Sequence, residues 1–157
     1  MNIRCATSEL EIAACYPVFR VLRPHLVEAE FVSRVRRQQA EGYCLVFTSA
    51  AERVVAAAGY RFMEFLAWGR VLYVDDLITH PDQRGAGCGG ALMDWLIAQG
   101  REKGCDELHL DSGYQRQDAH RLYLNKGLQL SCHHFSMKLK KPNQTPEPTA
   151  PSGRGSS

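Results

Sequence analysis

A phenol, two adjacent carboxylates and a run of glycines are the parts of this 157-residue chain best suited to chemistry. The glycine run is Gln83-Arg84-Gly85-Ala86-Gly87-Cys88-Gly89-Gly90; it follows an extended apolar segment, Val71 to Thr79, and opens into a helix-like one, Ala91 to Lys103. A glycine-rich turn between a strand and a helix gathers bare backbone N–H groups at a positive helix end, which suits a phosphate or pyrophosphate. The dipole contributes only about 0.3–1 kcal/mol, so amide hydrogen bonds must supply most of the grip. The carboxylates are Asp75 and Asp76, two acids in an otherwise apolar strand. Strand alternation predicts that they point to opposite faces. The phenol is Tyr123, four residues after Ala119 in a second helix-like segment.

Two familiar phosphate loops fit poorly. A P-loop needs a Lys and then Ser or Thr after its glycines, and none follows here. Gly85, Gly87 and Gly90 do satisfy GxGxxG, with Asp106 or Glu107 about 20 residues on as a ribose ligand. That fingerprint belongs near the start of a longer βαβ array, however, and only about 50 foldable residues remain. Nicotinamide dinucleotide binding therefore stands as a rival reading.

Read as Arg-x-x-Gly-x-Gly from Arg84 through Gly87 to Gly89, the loop resembles the acyl-CoA loop of the GNAT superfamily of N-acyltransferases. Asp76 to Arg84 looks like the strand leading into that loop, and Asp118 to Gly127 looks like the later helix ending in Tyr-x-x-x-Gly. With His133-His134-Phe135 following, the later segment is most similar to aminoalkylphosphonate-type small-amine acetyltransferases. The two motifs cover residues 71 to 130, and the order of elements extends the resemblance to residues 2 to 139.

The resemblance implies an α/β (α+β) GNAT fold: a mixed, mostly antiparallel sheet of six to seven strands flanked by about four helices. It implies acetyl-CoA as co-substrate and transfer to the primary amine of a small molecule by direct attack in a ternary complex. The backbone of Leu77, Ile78 and Thr79 is then expected to pair with the pantetheine arm like an added strand. The amides of Gly85, Ala86, Gly87, Cys88, Gly89 and Gly90 hold the diphosphate, with Arg84 beside it. Arg116 to Asp118 lie where relatives touch the distal pantetheine, but Arg116 replaces a common Asn.

Such a transfer poses two proton problems. An amine of pKa near 10.4 is protonated at pH 7, and freeing it costs about 4.6 kcal/mol. A carboxylate can accept that proton, directly or through water. The departing thiolate, of thiol pKa about 8.5, needs a proton that a phenol of pKa about 10 can donate. By resemblance Tyr123 is that donor, and Asp75, preferred over Asp76, is the base. Arg20, Arg23 and His25, at the junction of the first two helices, lie where relatives bind acceptors. No metal is expected, since the His pair has no third ligand at a suitable spacing.

The elements that must position these groups are legible in outline. Asn2 to Ala6 reads as a strand; Ser8 and Glu11 form a capping box for a helix through Ile12, Tyr16 and Phe19. Pro24 is expected to start a second helix that Gly42 ends. Residues 43 to 48, 53 to 65 and 71 to 79 read as strands, Glu107 to Asp111 as another, and residues 116 to 126 as the Tyr123 helix. A last strand is expected over Leu128 to Leu139, broken at His133-His134 where its apolar phase slips. One domain, residues 1 to 139, is followed by a Pro/Ser/Gly-rich tail, 140 to 157, with almost nothing to bury.

Composition narrows the class. Apolar content of 45% and charged content of 23% are ordinary for a globular protein, and 19 cations nearly balance 17 anions. A nucleic-acid or membrane surface is therefore not expected. Six scattered cysteines without a CxxC pair read as free thiols of a cytoplasmic protein. The resemblance is compatible with a homodimer. Two rivals keep the fold: a transferase acting on protein N-termini or lysines, and a non-catalytic acyl-CoA sensor.

Overall fold

Ser8 begins the first helix through a reciprocal cap. Glu11 N–H donates to Ser8 Oγ at 3.2 Å and Ser8 N–H donates to Glu11 Oε2 at 3.0 Å. In the computed structural model, which describes residues 1–139, the elements are β1 (Ile3–Cys5), α1 (Glu9–Leu22), α2 (Glu28–Ala40), β2 (Cys44–Ala50), β3 (Arg53–Phe65), β4 (Gly69–Thr79), a 3₁₀ turn (Pro81–Gln83), α3 (Cys88–Glu102), β5 (Glu107–Leu110) and α4 (Gln117–Asn125). The expected tail, 140–157, lies outside the described residues.

Along α1, Ile12, Cys15, Tyr16, Phe19 and Leu22 recur at three- and four-residue steps and are buried. Pro24 does not start α2, which begins at Glu28 with Val27 as its N-cap. Leu26 N–H donates to Arg23 C=O at 3.0 Å instead, so Pro24 and His25 form a turn between the helices. The proline disfavours helical dihedrals at Arg23, which explains why the chain breaks there before restarting.

The sheet order is β1-β2-β3-β4-β5, with the first three pairings antiparallel and β4–β5 parallel. A parallel pair needs a crossover, and α3 supplies it. The mixed, mostly antiparallel sheet with four α-helices matches the expectation, but the described residues hold five strands, not six to seven. The shortfall is Leu128 to Leu139, which forms no strand; Leu130, Phe135, Met137 and Leu139 are 89%, 90%, 82% and 88% exposed. Alternation shows which side a strand would bury, not that a neighbouring edge accepts it. Leu128 packs against the α3 layer, and the segment's polar side-chain contacts run from His133 to Tyr114 and from His134 to Asp111.

Two apolar layers sandwich the sheet. α1 and α2 cover Leu45, Phe47, Ala57 and Ile78 on one face. On the other, Leu92, Met93 and Leu96 of α3 pack on Val46, Ala58, Tyr60, Leu72 and Val74. Those three α3 side chains are fully buried, each contributing about 1.5–3 kcal/mol. α4 has no fully buried residue and is tied to α3 by Lys126 Nζ on Asp94, at 2.6 and 2.7 Å. No described helix is long and apolar enough to cross a membrane.

Candidate active site

A one-residue shift in strand pairing organises the acidic end of β4. Gly59 pairs with Asp76 but Tyr60 pairs with Val74, so Asp75 has no partner on β3 and forms a bulge. Before the bulge, Leu72 and Val74 face α3, which sends Tyr73 and Asp75 to the α1–α2 side. After it, Leu77 packs toward α3 and Ile78 toward α1–α2, so Asp76 shares the side of Ile78. The expected opposition of the two carboxylates is therefore overturned. Both line one cavity of about 340 Å³ against α1 and α2.

The two acids are held differently. Asp75 is gripped by Arg61 of β3: Nε donates to Oδ1 at 3.2 Å and to Oδ2 at 2.9 Å, and Nη2 donates to Oδ2 at 2.5 Å. That bond with Asp75 raises the Arg61 pKa further, so the guanidinium is a permanent cation. Asp76 Oδ2 accepts from the Tyr43 hydroxyl at 3.2 Å, and Oδ1 accepts from Arg23 Nε at 3.0 Å. Burial first, then the carboxylates of Asp76 and Asp75, push the Tyr43 phenol well above its usual range, so it is a neutral donor. Arg23 Nη2 also donates to the Asp75 carbonyl at 3.3 Å.

Arg23 and His25 lie in this cavity, but Arg20 does not. Arg20 borders a larger hollow, about 420 Å³, with Tyr16, Pro17, Val21 and Glu28. That hollow contains neither β4 acid, so the smaller cavity is the better candidate.

Beyond the bulge β4 also loses a neighbour. Its pairing with β5 ends at Val74 with Leu110, while Leu77, Ile78 and Thr79 stay paired with β3. The backbone of Asp75 to Thr79 thus presents an open edge on the β5 side. The chain then turns through Pro81–Gln83 into the glycine loop. Gly85 and Gly87 have φ of 81° and 80°, a region that side-chain-bearing residues avoid. Gly87 is the N-cap of α3 with no side-chain cap, which leaves the first-turn amides to a ligand or solvent. A β-carbon on Gly85 or Gly87 would meet nothing within 4 Å, so the loop surface is open. One on Gly89 would lie 3.3 Å from Thr79 Oγ1, since the first turn of α3 packs closely on β4.

Arg84 and Ala86 are exposed beside the loop. The Cys88 side chain is buried in the α3 layer, which leaves only its backbone amide facing the loop. Tyr123, on α4, packs partly against that same layer, and burial pushes its phenol up despite the opposing effect of Arg116. At the end of β5, Asp111 accepts from the Tyr73 hydroxyl and pairs with His134 Nδ1 at 3.2 Å. Among the described residues no three His, Cys, Asp or Glu side chains gather as a metal set.

Sequence reasoning missed Gly59, Tyr43 and Arg61. Arg61, a lone cation between Tyr60 and Phe62 within an apolar strand, was a readable signal for a buried acid partner. Tyr43, directly after the helix-ending Gly42, carried none.

The profile of the acetyltransferase (GNAT) family matches residues 9–128. The uncharacterized N-acetyltransferase YhdJ of Bacillus subtilis (strain 168) is 32% identical over 129 residues, covering 80% of this chain and 89% of that protein. Among solved structures, a Trypanosoma brucei acetyltransferase superposes with TM-score 0.71 at 23% identity, covering 89% of this chain and 99% of that one. An aminoglycoside N-acetyltransferase in complex with CoA superposes with TM-score 0.76 at 14% identity, covering 87% and 93%.

Proposed function

The chain belongs to the acetyltransferase (GNAT) family and is an acetyl-CoA-dependent acetyltransferase, and from that premise we propose that its acceptor is the primary amine of a small molecule. The observation that carries this reading is the bulge at Asp75, which turns two carboxylates into one cavity of about 340 Å³ beside the open edge of β4. A cavity of that size accommodates a small molecule, whereas a peptide acceptor calls for a long open groove.

In this reading the pantetheine arm pairs with the free backbone edge at Leu77, Ile78 and Thr79. The amides from Gly85 to Gly90 receive the diphosphate at the mouth of α3, with Arg84 contributing charge from outside. The acceptor enters from the α1–α2 side, so amine and thioester meet at the bulge and react directly. Asp76 takes the ammonium proton, directly or through water. Asp75 is the less suitable base because its partner Arg61 is rooted in the adjacent strand, whereas Arg23, on Asp76 Oδ1, reaches in from a helix end and is more exposed. The amine nitrogen attacks the thioester carbonyl, the carbon–sulfur bond breaks, Tyr123 protonates the departing thiolate, and the second proton shed by the attacking nitrogen returns through water to the Tyr123 phenolate. Six free cysteines and the demand for acetyl-CoA fit a reducing cytoplasm.

A panel of small primary amines, assayed for release of the CoA thiol from acetyl-CoA, tests the proposal. Turnover with at least one small amine, and none with peptide N-termini or lysine peptides, is the expected result. Turnover confined to peptides would overturn it.

A further inference from the structure

We propose that Asp76 seats the acceptor's ammonium group and that the guanidinium of Arg23 occupies this seat until the acceptor displaces it. The inference rests on the reading that this cavity receives the amine.

The two oxygens of Asp76 have partners of opposite character. Oδ2 is fixed by Tyr43, a side chain 4% exposed whose hydroxyl sits over Gly59. Oδ1 is covered by Arg23, which reaches in from the C-cap of α1 with its side chain 44% exposed. Asp75 makes the contrast plain, since its Arg61 partner is rooted in the adjacent strand and only 23% exposed. Arg61 therefore belongs to the framework, and Arg23 can swing into solvent.

The chemistry of the seat is already on display. Arg23 presents N–H donors to two acceptors at once, Asp76 Oδ1 at 2.9 and 3.0 Å and the Asp75 carbonyl at 3.3 Å. A primary ammonium has three donors on one nitrogen and can satisfy the same two acceptors. A quaternary ammonium has no donors and gains nothing there. The chemical class admitted is thus a protonated primary amine, and Arg23 sets how tightly it binds by competing for the seat.

Arg23→Gln tests this through two readouts. In steady-state kinetics the KM for an accepted amine should fall about two- to fivefold, the range an exposed ion pair can supply, with kcat less affected. In thermal unfolding, ethylammonium chloride should raise the Tm of Arg23→Gln more than that of the wild type. Tetramethylammonium chloride should raise neither. Arg23→Lys, which keeps a cation but loses the forked contact, should give a KM between those of the wild type and Arg23→Gln. Arg20→Gln removes the same charge from α1 outside the cavity and should leave KM unchanged.

An unchanged or higher KM in Arg23→Gln overturns the proposal, as does an equal fall in Arg20→Gln, which would make the effect one of net charge. Equal ethylammonium stabilisation of both proteins overturns it as well. Should no amine turn over, the small-amine reading fails, and the unfolding measurement still decides whether Arg23 guards an ammonium seat.

Discussion

The phenol of Tyr43 fills the space in which a β-carbon on residue 59 would stand, so Gly59 is what allows Tyr43 to reach Asp76. Gly59 faces Asp76 across the ladder, so glycine, phenol and carboxylate form one stack on the α1–α2 face. Gly59→Ala would drive a methyl group into a buried ring with no room to retreat. It should cost about 1–3 kcal/mol, read from denaturant or thermal unfolding. Combined with Tyr43→Leu, the loss should be smaller than the sum of the two single losses. Strict additivity would show that the two residues do not collide.

Tyr123→Phe should lower kcat by about 10²- to 10⁴-fold, the usual share of a general acid, with CoA affinity nearly constant by calorimetry. Burial raises this phenol above its usual value, so the donor stays protonated throughout the neutral range. The wild-type pH profile should therefore show no alkaline fall from Tyr123 below its ordinary pKa of about 10. Intact turnover in the Phe variant would remove Tyr123 from the chemistry.

The paired acids should separate on substitution. Asp75→Asn strips Arg61 of a three-bond partner and should cost stability, about 1.5–3 kcal/mol for hydrogen bonds to a charge. Asp76→Asn should chiefly lower turnover, most at neutral pH and least at high pH, where an amine of pKa about 10.4 is increasingly free. A loss independent of pH would return Asp76 to a structural role.

What could be read from the chain was whatever neighbouring residues decide among themselves. The Ser8–Glu11 cap and the passage from β4 through the glycine loop into α3 depend on residues a few positions apart, and the sequence pattern located them. The facing of Asp75 and Asp76 was misread because alternation assumes continuous pairing. The slip originates in how Gly59 and Tyr60 meet Asp76 and Val74 across the sheet. Leu128 to Leu139 misled in the same way: its pattern describes a strand, and the edge that would make it one is not in the segment.

Gly87 offers a direct test of the loop. Its φ of 80° costs a side-chain-bearing residue about 1–2 kcal/mol, so Gly87→Ala should weaken CoA binding about 5- to 30-fold by calorimetry. Gly90→Ala, where the new methyl would meet Lys126 and Leu122 at 3.8–3.9 Å, should leave folding intact. Unaltered CoA affinity in Gly87→Ala would argue that the diphosphate lies elsewhere.

The α1 cap should carry an acid signature. Hydrogen bonds from the backbone of Ser8 and then Thr7 hold the Glu11 carboxyl down from 4.5 to about 2. A group depressed on folding stabilises above its unfolded value and loses that contribution as pH falls through the folded one. The Tm advantage of wild type over Glu11→Gln should therefore be full above pH 4.5 and vanish toward pH 2. A gap constant across that window would mean that the charge of Glu11 does not support the cap.

The irregularity at Asp75 also governs how this stretch can change over evolutionary time. Were the strand to pair evenly with Asp75 kept, every side chain from Asp76 to Thr79 would exchange layers: Leu77 would turn toward α1 and α2, Ile78 toward α3, and Asp76 would be thrust into oil. Removing Asp75 would instead restore even pleating with Leu77 still opposite Ala58 and Ile78 still opposite Ala57, and the cavity would lose one carboxylate. The length of this stretch thus sets how many acids face the cavity, and the loss of a residue here should change the chemistry before it disturbs the layers.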